Sequence, residues 1–137
     1  MKYFAKLILP KGIDAASADQ LEHFAAELMR PFKMWEDDIP AKDGHWDHYR
    51  CCTKEWLDEK NIDCSTYESI SANQSLLVFP VDKIPAECVT DSIVTPNKEW
   101  HRSRSTYSEE DHSWREKALA IYKSFTGHDG VLAYCHG

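Results

Sequence analysis

The chain's 137 residues fit one folded domain, and 42% apolar with 28% charged side chains supply a core while excluding a disordered polyelectrolyte. A net charge of -7 repels phosphate backbones and anionic lipid, which excludes ordinary direct binding of DNA or RNA. The longest apolar runs fall far short of the ~20 residues that span a bilayer, and Met1 to Lys6 does not read as a signal peptide, so the expected location is the cytoplasm of a host cell.

Residues 2 to 9 alternate loosely and stop at Pro10-Lys11-Gly12, which predicts a first strand. Ser17 offers a helix cap, with Asp19 and Glu22 in the first turns. Leu21, Phe24, Ala25, Leu28 and Met29 then recur at helical spacing, ending before Pro31. From Trp35 to Asp47 the chain is acidic and broken by Pro40 and Gly44, which predicts a loop. Trp46 to Thr53 reads as a short strand and Lys54 to Lys60 as one or two helical turns presenting Trp56 and Leu57.

Ser75 to Val81 reads as a buried strand, and Ser92 to Thr95 with Trp100 to Arg102 flank Pro96-Asn97-Lys98 as a hairpin. Ser108 with Asp111 resembles a capping pair for a helix bearing Trp114, Ala118, Ile121, Tyr122 and Phe125 on one face, closed by Gly127. His128-Asp129-Gly130 then turns the chain into a last strand, Val131 to Cys135. The order predicts a single α+β domain over residues 1 to 137, a ferredoxin-like β-α-β-β-α-β sandwich. Its two helices lie on one face of an antiparallel sheet, and residues 34 to 72 form an irregular acidic insert.

Five cysteines in a chain without an export signal read as free thiols. Gly-rich phosphate loops, nucleophile elbows and paired-cysteine zinc motifs are all missing, which lowers the expectation of an enzyme. Histidine is abundant, however. His45-Trp-Asp-His48, followed by Cys51 and Cys52, could combine with His101 and Cys135-His136 to coordinate zinc, because zinc takes neutral imidazole and thiolate. The candidate ligands are His48, Cys51, His101 and His136, and a hydrolase or nuclease would draw its base from Asp47, His48, His101 or His136.

Between Asp14 and His48 nine acids face three bases, a local balance of -6. Trp35, Glu36, Asp37, Asp38, Asp43, Trp46 and Asp47 are therefore the candidate partner-binding residues. Acids would meet a basic groove on a protein that handles nucleic acid, and the aromatic side chains would anchor the contact. Trp100 and Trp114 are expected in the core.

Val94-Thr-Pro-Asn-Lys-Glu-Trp-His101 resembles a hairpin in a family of small uncharacterised phage-encoded proteins, where it reads Val-Thr-Pro-Asp-Gly-x-Trp-His. Trp46-Asp-His-Tyr49 and the terminal Cys135-His136 resemble two further pieces of that family. Here cysteines replace a glycine pair, and Tyr134 stands where the family has Asp. The resemblance implies a phage or mobile-element setting, in which short acidic proteins act as stoichiometric inhibitors of host defence, including CRISPR complexes. A structural or housekeeping role in the phage is the other role that this setting implies.

Overall fold

A computed structural model describes residues 2–36, 39–40, 44–63, 76–104 and 111–137. Among these residues the chain forms an α+β fold of eight strands and three α-helices. The first strand, β1 (Lys2–Ile8), leads into α1 (Ala18–Met29) and a short 3-10 turn, Arg30–Phe32. The Ser17 hydroxyl accepts the Gln20 amide at 3.3 Å, the predicted cap, worth about 1 kcal/mol. Where a loop was expected from Trp35 to Asp47, the chain makes a two-stranded ribbon, β2 (Trp35–Glu36) and β3 (Ile39–Pro40). It continues into β4 (His48–Cys51) and α2 (Lys54–Glu59). The Thr53 hydroxyl caps α2 by accepting the Trp56 amide at 3.1 Å.

The second half contributes β5 (Val78–Pro80), β6 (Ser92–Val94), β7 (Trp100–Arg102), α3 (Trp114–Ser124) and β8 (Asp129–His136). The predicted hairpin forms, with Lys98 at φ +63° in its turn, and Gly127 takes φ +90° just past the end of α3. The Ser108 cap lies outside the described residues. The start of α3 is organised by Asp111, whose Oδ1 accepts the Ser113 amide and hydroxyl at 3.2 and 2.8 Å. Asp129 and Gly130, expected in a turn, already belong to β8 and pair with Pro80 and Phe79.

The main sheet runs β4-β8-β1-β6-β7. β5 continues the edge occupied by β4, pairing with the first part of β8 while β4 pairs with the last. β1 lies antiparallel to β8 but parallel to β6, so the sheet is mixed and not antiparallel throughout. In a ferredoxin-like sheet the strand entered after the first helix leaves room for another beside β1. Here β6 fills that place itself, and its hairpin partner β7 takes the edge.

The helices also differ from the expectation of one shared face. Ala5 and Leu7 of β1 join Val78, Val94, Val131 and Ala133 beneath Leu21, Ala25, Leu28 and Met29 of α1. On the other face Ile8, Phe79, Ile93 and Leu132 pack against Leu57 of α2 and against Trp114, Ala118 and Tyr122 of α3. Three layers result, because the central strand is buried on both sides and each side needs a cover. Among the described residues no helix is long and apolar enough to cross a membrane.

Candidate functional site

Among the described residues, the acidic and aromatic candidates make different contacts. Trp35 and Ile39, on opposite strands of the β2–β3 ribbon, are 50% and 67% exposed. They are the exposed large hydrophobics among the described residues. The ribbon hangs from the end of α1: the Met34 amide donates to Trp46 O and the His45 amide to Phe32 O, each at 2.7 Å. Trp46 acts there as an internal strut, its indole N–H donating to Met29 O at 2.7 Å and its ring meeting Tyr49 edge-on. Glu36 contributes its backbone to the ribbon, whereas Asp37, Asp38 and Asp43 lie outside the described residues.

Asp47 belongs elsewhere. Its amide donates to His136 O at 2.8 Å, which docks the residue at the mouth of the β4–β8 ladder. That ladder sets His48 directly across from His136 and Tyr49 across from Cys135, with the two imidazole centroids 5.6 Å apart. The Asp47 Oδ1 atom accepts the His48 amide at 2.7 Å and lies 2.8 Å from His136 Nδ1. The hydrogen bond from His136 holds the exposed Asp47 carboxyl below the usual carboxylate range, with the His48 amide acting in the same sense. Two of the three pieces that carry the phage resemblance, residues 46 to 49 and 135 to 136, are therefore neighbours. A carboxylate bonded to one nitrogen of an imidazole leaves the other as an acceptor, which suits proton transfer or metal ligation.

The four-ligand zinc set expected from spacing does not assemble. His48 and His136 meet, but Cys51 projects into the α1-side cluster beside Tyr49, on the opposite face of β4. His101 sits on β7, three strand spacings from β8 and so about 14 Å away, with its Nε2 atom 3.4 Å from Glu99 Oε2. Burial pushes the Cys51 thiol up to about 12, with Glu22 adding to the effect, which disfavours its thiolate at neutral pH. Cys52 and Cys135 are also pushed up to about 12 by burial, and no disulfide joins the described cysteines to one another.

A thiol-labelling time course on the native protein at pH 8 should therefore leave Cys51, Cys52 and Cys135 unmodified. All five cysteines should react in denaturant. Rapid native labelling of Cys51, Cys52 or Cys135 would contradict this assignment.

Two features escaped the sequence reading. Lys6, on the central strand, is fully buried. Its ammonium donates to Cys88 O and lies 5.6 Å from the centroid of the Tyr122 ring. Burial lowers its pKa to about 7, the range of a reactive amine, yet its enclosure makes it a determinant of stability and not a reagent. The only trace in the sequence was a charge within an apolar run. Trp100, expected in the core, is half-buried and stacks on His45 with centroids 4.5 Å apart and planes 6° apart, a contact between residues 55 positions apart that no local spacing reveals. Compared with known proteins, the chain matches no family model, no curated protein and no solved structure.

Proposed function

We propose that the protein is a small binding protein of phage type. It would act in the host cytoplasm and block a host protein that handles nucleic acid, such as a CRISPR effector, by occupying its basic surface. The observation that supports this reading is the β2–β3 ribbon, where Trp35 and Ile39 stand exposed on the two strands that bracket Asp37 and Asp38. An aromatic side chain held at 50% exposure within an acid-rich stretch of sequence combines the two things such an interface uses. The apolar anchor supplies affinity, and the negative field supplies steering toward a basic groove. The -6 balance of residues 14 to 48 concentrates most of the chain's excess charge in the segment that carries the ribbon. The ferredoxin-like label belongs to this proposal only as a distant comparison of architecture, since the strand order differs.

The test uses the protein immobilised in host lysate, with duplex DNA added as competitor. A captured partner should be released by DNA and by salt. Reversing Glu36, Asp37 and Asp38 to lysine should weaken capture at least tenfold and flatten its salt dependence. Trp35→Ala should cost about 2 kcal/mol of binding, the scale of an interface hot spot. Capture that survives the triple reversal, or that DNA does not compete, would overturn the proposal.

A further inference from the structure

We propose that Asp47, His48 and His136 form a binding site for a divalent transition-metal ion, with zinc(II) as the ion it suits best. The site does not depend on the docking role of the ribbon. Asp47 and His136 stand 89 positions apart, and the β4–β8 register brings them together. Each of the three residues offers one ligand atom, and these atoms all lie within 4.8 Å of one another.

A tetrahedral zinc ion with bonds of about 2.1 Å places its ligand atoms about 3.4 Å apart, so the trio must adjust by roughly 1 Å. Rotation of exposed side chains achieves this at small cost. His48 is exposed, and the His136 and Asp47 side chains are 45% and 38% exposed. The backbone needs no adjustment, because the ladder and the Asp47 amide bond to His136 O already fix the Cα positions.

The donor chemistry narrows the ion. Two imidazoles and one carboxylate favour zinc, cobalt, nickel or copper over magnesium and calcium, which take oxygen ligands. An ion held by Asp47 Oδ1 and His136 Nδ1, which lie 2.8 Å apart, replaces the hydrogen bond between them, and the imidazole proton moves to Nε2. Three protein ligands leave a coordination position for water. His48 and His136 also line a cavity of about 300 Å³ together with Lys2, Arg50 and Tyr134. The charges of Lys2 and Arg50 oppose a cation there, so Asp47 is the ligand whose negative charge makes the cluster attractive to one. Its neutralisation should be at least as damaging as loss of either histidine.

The experiment uses the full, tag-free chain, stripped with chelator and titrated with zinc against a chromophoric competitor, and separately with cobalt for its visible absorption. One zinc per chain with micromolar or tighter affinity is expected, with no comparable binding of magnesium. His48→Ala, His136→Ala and Asp47→Asn should each weaken zinc binding about tenfold or more, while His101→Ala should leave it unchanged. Circular dichroism of the metal-free variants checks that each is folded, and His48→Gln replaces any that is not. Absence of binding tighter than millimolar, or stoichiometric binding that persists in the His48→Ala/His136→Ala double variant, would overturn the proposal.

Discussion

Replacing Lys6 by methionine is expected to raise the melting temperature at pH 7 by about 5 °C and to abolish a rise in stability between pH 7 and 8.5 that the parent protein should show. Lys6 lies on β1 with its neighbours Ala5 and Leu7 on one face and its own side chain among Ile93, Leu132 and Tyr122 on the other. Burial lowers its pKa from 10.5 to about 7, while the Cys88 thiol acts in the opposite sense. A gap of that size corresponds to a cost on the order of 5 kcal/mol for holding the charged amine in the folded core. Methionine fills similar volume without the charge. The substitution also removes the ammonium's hydrogen bond to Cys88 O and its approach to Tyr122, which returns part of the gain and leaves a net of about 1 to 3 kcal/mol.

The sign of the pH dependence follows from proton counting. Below about 7 folded and unfolded chains both carry the Lys6 proton, and the burial cost is present in full. Between about 7 and 10.5 the unfolded chain binds more protons, so stability rises with pH. Cys51, Cys52 and Cys135 act oppositely from 9.0 upward. Their folded values near 12 mean that only the unfolded chain sheds thiol protons there, and stability falls. The parent should thus be most stable just below pH 9, whereas Lys6→Met should show the falling limb alone. A thermal-melt series across pH 6 to 10 reads both curves, and an unchanged rising limb in the variant would rule out Lys6 as its source.

Local signals carried much of the fold. Ser17 and the spacing of Leu21, Ala25, Leu28 and Met29 marked α1, and Pro96-Asn97-Lys98 marked the hairpin turn. Pairing between distant strands was not written locally. β1 reads as a loose alternation because both of its faces are buried, and nothing within Lys2–Ile8 says that β6 will lie parallel on one side and β8 antiparallel on the other. The metal candidates show the same division. His48 and Cys51 have a spacing that suits zinc in a loop, but an odd separation in a strand sends two side chains to opposite faces. That alternation was the available signal against Cys51. The partnership of Asp47 and His48 with His136 required the β4–β8 register, which only the assembled sheet supplies.

Enlarging Gly130 is expected to be the most damaging single change to that sheet. Gly130 is buried in β8, between Ile8 of β1 and Phe79 of β5. A Cβ there would stand 2.9 Å from Val81 Cγ1, 3.1 Å from Phe79 Cε2 and 3.2 Å from Leu7 O. Phe79 and Val81 are fully buried and have nowhere to retreat, and Leu7 O belongs to the central strand. Gly130→Ala should cost about 1 to 3 kcal/mol and Gly130→Val more than 3, lowering the melting temperature by about 10 °C or more. Gly12 provides the contrast. A Cβ there meets nothing within 4 Å, and only its φ of +85° resists substitution, so Gly12→Ala should cost about 1 kcal/mol. Denaturant melts of the three variants separate crowding from backbone strain, and equal small losses would refute the packing argument. His136 lies six residues along β8, about 20 Å from Gly130, so a Gly130→Ala protein that still folds should keep its zinc affinity.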